Sequence, residues 1–164
     1  MTSEDIRKTV VLRAPIAKVW GAVSDASQFG KWFGVALDAP FVAGKEATGK
    51  ITPTIVDPEV AKQQAPYAGM PWRAVVDRIE PMTLFSFRWH PYAVDPDKDY
   101  AKEPMTLVTF RLSEVAEGTL LEITETGFAD IPPSRREEAL RSNDEGWAFQ
   151  AQLIAKYLAQ GQDS

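Results

Sequence analysis

Cysteine is absent from this chain, and histidine occurs once, as His90. The lack of cysteine excludes disulfides, zinc sites with cysteine ligands and thiol catalysis. Metal sites built on imidazole generally use two or three histidines, so a single histidine predicts that no metal is bound. No motif indicates any other cofactor, and we expect none.

Long basic runs and long apolar runs are also missing. The net charge is −5 and basic residues occur at most in pairs, which argues against binding to nucleic acid or to an anionic membrane. No apolar segment approaches the ~20 residues that span a bilayer, and the polar N-terminus does not resemble a signal peptide. We expect a soluble, cytoplasmic protein that is a monomer or a homodimer.

Aromatic residues, in contrast, are abundant, with eight Phe, five Trp and four Tyr among 164 residues. Large rings fill thick cores or line pockets. The length suits one domain covering residues 1–164.

The chain opens with β-branched residues and continues with helical spacing. We predict a strand over Ile6–Arg13. Pro15 is suited to the first turn of a short helix that ends near Ser24. A second short helix, capped by Asp25 or Ser27, should follow and run through Trp32.

Strands and turns dominate from residue 35 to residue 128. Alternation and turn residues predict six further strands: Val35–Ala39, Glu46–Pro53, Trp72–Ile79, Leu84–Trp89, Met105–Leu112 and Thr119–Thr126. Most links are too short for crossover helices, so the sheet should be antiparallel. Val56–Met70 and His90–Pro104 are interpreted as long loops of the kind that bind ligands or act as lids.

The last segment predicts one long helix. Ser134 to Glu137 has the pattern of a capping box, and the helix should run to about Gln160. One arc is charged and should face solvent: Glu138, Arg141, Glu145, Gln152 and Lys156. The opposite arc is apolar: Leu140, Trp147, Ala151, Ile154 and Leu158. Phe149 and Leu153 fit neither arc, and we expect them to meet a loop or a partner.

Three polar residues, Asn143, Gln150 and Tyr157, recur every seventh position beside the apolar arc. Such a line is costly unless its members meet buried partners, water or a ligand. The element order is α+β, and a seven-stranded curved antiparallel sheet wrapped around the long helix accounts for it economically.

Two short motifs suggest ligands that their context does not support. Gly44–Lys50 matches much of a phosphate-binding loop, but Ile51 replaces the hydroxyl residue that holds magnesium, so we interpret a hairpin turn. Asp95, Asp97 and Asp99 alternate as in a calcium loop that lacks its glycine and its bidentate glutamate, so we interpret a solvated acidic loop.

Strand alternation predicts which side chains face the helix. On three strands the inward residues are Phe85, Phe87 and Trp89, then Val108, Phe110 and Leu112, then Leu121, Ile123 and Glu125. Glu125 therefore either enters the concave side or lies near its rim, paired with an arginine. His90 at a strand end is a second candidate acid/base group.

Several segments, in this order and spacing, resemble the activator-of-Hsp90-ATPase-like branch of the START-like (SRPBCC, polyketide-cyclase-like) superfamily. The segments are Ala14–Trp20, Lys31–Phe33, Arg78–Pro81, Leu84–Trp89, Val108–Leu112, Gly118–Ile123, Gly127–Phe128 and Glu145–Trp147. The resemblance implies a helix-grip fold with a central cavity. It does not imply one function, because this superfamily includes carriers, cyclases and a chaperone-activating domain.

Three functional hypotheses remain open. The first is non-enzymatic binding of a small apolar or aromatic molecule in a cavity between sheet and helix. Its candidate residues are Trp32, Trp72, Phe87, Trp89, Phe110, Glu125, Asn143, Trp147, Gln150, Ile154 and Tyr157. The second is a cyclase-like or hydrolytic enzyme using Glu125 or His90 as acid/base and Tyr157 as a donor. The third is a co-chaperone or another interaction module, with a filled interior and an exposed apolar patch.

Overall fold

A computed structural model describes residues 5–91, 100 and 102–160. Its strands are β1 Ile6–Leu12, β2 Val35–Leu37, β3 Glu46–Ile51, β4 Pro71–Glu80, β5 Leu84–Trp89, β6 Thr106–Val115 and β7 Gly118–Thr126. Its α-helices are α1 Ile16–Ser24, α2 Ala26–Phe33, α3 Pro58–Gln64 and α4 Pro133–Ala159. Short 3₁₀ turns cover Ala65–Tyr67 and Phe128–Asp130. The alternating aspartates predicted as an acidic loop lie outside the described residues.

The seven strands form one curved sheet in the order β1-β7-β6-β5-β4-β3-β2, and every neighbouring pair is antiparallel. The helix-grip architecture predicted from the sequence is confirmed: a long C-terminal helix lies against this sheet, and two short helices follow the first strand. The predicted strand ends differ from the observed ones by a few residues at most. The end of β6, for example, extends to Val115, which pairs with Gly118 of β7.

The segment between Val56 and Met70, predicted as a long loop, contains a helix, α3. The Asp57 side chain accepts from the backbone N–H groups of Glu59 and Val60 at 2.9 and 3.3 Å, and Pro58 occupies the first helical position. Asp followed by Pro is a recognisable start signal for a helix. Asp57 also pairs with Lys156, which ties α3 to α4.

The capping box predicted at Ser134 was wrong. The helix begins one residue earlier, at Pro133, with no side-chain cap. Its first backbone bonds run from the N–H groups of Arg135 and Arg136 to the Pro132 carbonyl, both at 3.0 Å. Because proline presets the helical φ at Pro133, Ser134 already lies within the first turn. At α2, by contrast, Asp25 is the cap, and it accepts from the Ser27 N–H at 2.9 Å.

The faces of α4 follow the predicted division with one exception. All five residues of the charged arc are exposed, and Trp147 and Ile154 are buried. Leu153, expected near the charged arc, is buried, whereas Phe149 is 43% exposed. The buried arc of α4 is wider than predicted because α4 packs against α1 and α2 as well as the sheet.

Rings from α2 and the sheet fill the deepest part of the core. Phe29 lies 5.0 Å from Trp32 and 6.3 Å from Phe110, measured between ring centroids, and Phe85 stacks on Phe110 at 6.2 Å. Trp32 donates its indole N–H to the Ala22 carbonyl at 2.8 Å. This end of the interior is therefore close-packed.

Within the described part of the chain, no helix is both long enough and apolar enough to cross a membrane.

Candidate functional site

A cavity of about 720 Å³ opens beside the aromatic core. Its wall comes from the end of α2, from β3, the 3₁₀ turn after α3, the first half of β4, the end of β5 and the middle of α4. A second, smaller pocket of about 80 Å³ adjoins the cavity: it shares five lining residues with it and adds Trp147. The volume lies in the range of sites that take drug-sized molecules.

The predicted pocket residues divide into two groups. Trp72, Trp89, Asn143 and Gln150 line the cavity, and Trp147 lines the smaller adjoining pocket. The others are not part of the wall: Trp32, Phe87, Phe110, Glu125, Ile154 and Tyr157. The first three are buried and pack against one another in the ring cluster beside the cavity.

Tyr157 lies at the other end of the helix, toward α2. Its hydroxyl donates to Gln28 Oε1 at 3.1 Å. Burial raises the pKa of Tyr157 above its usual value, and the negative charge of Asp25 adds to the shift. The donor that the enzyme hypothesis requires is therefore engaged away from the cavity.

Glu125 lies at the centre of a buried hydrogen-bond network. The side chain is 0% exposed on β7 and accepts from residues of three other elements. Oε2 accepts from Trp89 Nε1 at 2.8 Å and Thr106 Oγ1 at 2.5 Å, and Oε1 accepts from Trp147 Nε1 at 2.8 Å. Asn143 Nδ2 bridges both oxygens at 3.0 and 3.2 Å. The carboxylate fixes α4 to the ends of β5 and β6, behind the cavity wall.

His90 reaches the cavity wall at the end of β5. Its Nε2 lies 3.1 Å from the Glu103 carbonyl oxygen. The Glu103 side chain in turn accepts a hydrogen bond of 2.7 Å from Nε of Arg135, which lies at the start of α4. His90 thus faces the cavity but is already hydrogen-bonded to the segment before β6. Among the described residues, no group of three or more His, Cys, Asp or Glu side chains is arranged to hold a metal.

Two buried polar atoms at the wall lack partners within the described part of the chain. One is Trp72 Nε1, a donor, and the other is Gln150 Oε1, an acceptor. Gln150 Nε2 donates to the Phe33 carbonyl at 3.0 Å, which fixes the amide and leaves its oxygen unpaired. Gln64 Nε2 donates to the same carbonyl at 3.1 Å and joins α3 to this wall.

Gly146 lines the cavity but was not predicted as a site residue, although a glycine inside a predicted long helix is an unusual feature that could have indicated it. It lies in the middle of α4, where glycine disfavours the helix, and a Cβ built on it meets nothing within 4 Å. Phe33 and Tyr67 also line the cavity. Tyr67 was missed because α3 and the turn after it were not predicted.

Comparison with protein families gives the class of this chain. The family model described as activator of Hsp90 ATPase homolog 1-like protein matches residues 13–159. The chain belongs to this family, within the START-like (SRPBCC) superfamily. No curated protein matches it significantly.

Solved structures share the fold at low identity. Protein MLL2253 from Mesorhizobium loti is 19% identical, with a TM-score of 0.70, and the alignment covers 96% of this chain and 98% of that one. A protein from Arthrobacter aurescens is 14% identical, with a TM-score of 0.71 over 99% of this chain and 91% of the other. DynU16, from the dynemicin biosynthetic locus, is 24% identical, with a TM-score of 0.68 over 98% of this chain. The chain spans only 49% of DynU16.

Proposed function

We propose that this protein binds a small, largely apolar molecule containing aromatic rings in the cavity between β3, β4 and α4, without catalysing a reaction on it. The observation that carries the proposal is the open space at Gly146. A glycine in the interior of a helix costs about 1 kcal/mol relative to alanine. Here a side chain would meet no neighbour, so packing does not require the glycine. A ligand that uses this space accounts for it.

The chemistry of the wall supports an aromatic occupant. Trp72 and Trp89 lie with ring centroids 6.1 Å apart, and Phe33 lies 6.2 Å from Trp89 and 5.9 Å from Trp72. These rings meet edge-on or tilted, which suits packing against a further ring. The few polar groups among them would orient the ligand.

The enzyme hypothesis has less support. Glu125 does not line the cavity, and its oxygens already accept from four side chains. His90 faces the cavity without Glu125 or Tyr157 beside it on the wall. The interaction-module hypothesis paired Phe149 with Leu153 on an exposed patch, but Leu153 is buried.

Binding is tested with N-phenyl-1-naphthylamine, an uncharged probe whose fluorescence rises in apolar sites. We expect saturable binding to the wild-type protein. Gly146→Phe should weaken it at least tenfold, because the new ring occupies the cavity. Ala148→Phe is the matched control, since Ala148 is exposed on the same helix, and it should bind like wild type. Absence of saturable binding, or equal binding by all three proteins, would contradict the proposal.

A further inference from the structure

Glu125 holds residues of the cavity wall without lining the cavity itself. Three of its four hydrogen-bond donors are wall residues: Trp89 and Asn143 line the cavity, and Trp147 joins them in the smaller pocket. The fourth donor, Thr106, lines neither space. One carboxylate therefore bonds to wall residues from both layers of the fold, β5 of the sheet and α4.

The two indoles are held by separate oxygens of this carboxylate. Trp89 Nε1 donates to Oε2 of Glu125, and Trp147 Nε1 donates to Oε1, each at 2.8 Å. The two ring centroids lie 5.8 Å apart, with 35° between the ring planes. Trp89 is the last residue of β5, and the backbone pairing of β5 with β6 ends there, opposite Thr106. The orientation of the Trp89 ring therefore depends on the carboxylate as well as on packing.

These contacts require an acceptor at both oxygens of Glu125. Indole N–H and amide NH₂ groups only donate. The distance of 2.5 Å from Thr106 Oγ1 lies in the range of a hydroxyl that donates to an ionised carboxylate. Within the described part of the chain, the four side chains that donate to Glu125 are all neutral. An amide at this position would direct its own NH₂ group at one of the donors, so at least one of them would lose its bond.

The cost of burying this charge indicates a role beyond stability. Replacing a buried ionic group and its partners by apolar residues is often neutral or stabilising, whereas such groups can hold one conformation against its alternatives. Side chains that border a cavity need such support, because they have no packing partners on the side of the open space. The network of Glu125 lies on the other side of those residues, where it replaces the missing contacts.

We propose, building on the proposed function, that Glu125 is a positioning residue for ligand binding. Its carboxylate keeps the rings of Trp89 and Trp147 in the orientation that leaves the cavity open. Ligand affinity therefore depends on the group at position 125, although the ligand does not touch it. When the carboxylate is replaced, a wall ring turns into the open space and competes with the ligand.

The affinity of N-phenyl-1-naphthylamine is compared among wild type, Glu125→Gln and Leu121→Ala, each at a temperature where circular dichroism shows a folded protein. Leu121 is the matched control, because it lies on the same strand, is 0% exposed and lines neither pocket. Its truncation lowers stability by leaving a void in the core. We expect Glu125→Gln to weaken binding about fivefold or more, the equivalent of one hydrogen bond in the wall. Leu121→Ala should bind within about twofold of wild type, because its effect is independent of the wall.

The indole N–H signals in two-dimensional proton–nitrogen spectra report on the wall directly. Those of Trp89 and Trp147 are assigned from the variants Trp89→Phe and Trp147→Phe. A charged acceptor deshields the proton and protects it from exchange with solvent. At least one of the two signals should therefore move upfield and exchange faster in Glu125→Gln, and both should stay in place in Leu121→Ala. A purely structural role predicts no such difference between two similarly destabilised proteins.

A positioning role is overturned if Glu125→Gln binds the probe as tightly as wild type, if Leu121→Ala weakens binding to the same extent, or if neither indole signal moves in Glu125→Gln. Where Glu125→Gln does not fold, Glu125→Asp takes its place. It keeps the charge but withdraws it by one carbon–carbon bond, so binding should weaken, and wild-type affinity would contradict the role. Probe binding that is insensitive to position 125 would leave the proposed function standing, whereas absence of binding by the wild-type protein would remove both.

Discussion

Gly146 gives the sharpest test of how the cavity relates to stability. Replacing it with alanine adds a methyl group where the structure has no heavy atom within 4 Å, leaving aside the helix's own backbone. The substitution should therefore deliver the full gain in helix propensity, about 1 kcal/mol. For a chain of this size the expected rise in Tm is about 2–4 °C.

Gly30 in α2 is the matched control. It is also a helical glycine, but a Cβ there would lie 2.1 Å from the Val35 carbonyl oxygen. The same gain in propensity is then outweighed by a steric clash with backbone, and Gly30→Ala should lower stability by about 1–3 kcal/mol.

Thermal and urea unfolding of the two variants, followed by circular dichroism, give the comparison. Gly146→Ala should be more stable than wild type and Gly30→Ala less stable. If Gly146→Ala lowers the Tm, the glycine is required by the packing of α4, and the argument that it preserves space for a ligand fails. If both variants gain stability equally, the contrast between open space at Gly146 and close backbone contact at Gly30 is wrong.

Three further predictions follow from the buried and paired charges. Glu125→Gln should destabilise the fold by about 2–4 kcal/mol in urea unfolding, because the amide cannot accept from all four donors; a loss below 0.5 kcal/mol would contradict the network. Burial raises the pKa of Tyr157, so this tyrosine ionises at a lower pH in the unfolded chain than in the folded one, and the free energy of unfolding should fall as the pH rises above about 10. Tyr157→Phe should reduce this loss of stability at high pH, and an unchanged loss would contradict the prediction. Hydrogen bonds from Lys156 and from the backbone N–H of Val60 lower the pKa of Asp57, so the ionised Asp57 stabilises the fold above about pH 4 and loses this effect as the pH falls further. Asp57→Asn should therefore lower stability at pH 7 and reduce the acid dependence of equilibrium unfolding. A variant with the wild-type pH profile would refute the link between α3 and α4.

The cavity wall illustrates how far sequence reasoning reaches. Strand alternation indicates Trp89, and helical spacing indicates Asn143 and Gln150; all three line the cavity. Strand alternation also predicts that Phe87 and Phe110 face inward, but they lie in the ring cluster and not on the cavity wall. The period of a strand gives the face on which a side chain lies and not how deeply it is buried. Which inward rings border a cavity depends on where the neighbouring elements leave space.

Glu125 shows that the sequence pattern does not give the surroundings of a polar side chain either. Its alternation with Leu121 and Ile123 left two readings open, a group inside the concave face or one at the rim beside an arginine. Its four donors come from β5, β6 and α4, which are separated from it by up to 36 positions in sequence. No local pattern encodes such a meeting, since it requires the register of β6 against β7 and the position of α4 together.

The sequence by itself determined the seven strands, their antiparallel pairing and the long closing helix, because hydrophobic period and turn residues act locally. It also contained the signals for α3, at Asp57 and Pro58, and for the space at Gly146. Only the tertiary structure decided that Leu153 is buried, that the ring cluster fills one end of the interior, and that a cavity opens at the other. Those outcomes depend on several elements packing at once, and the free energy of that packing belongs to no single segment.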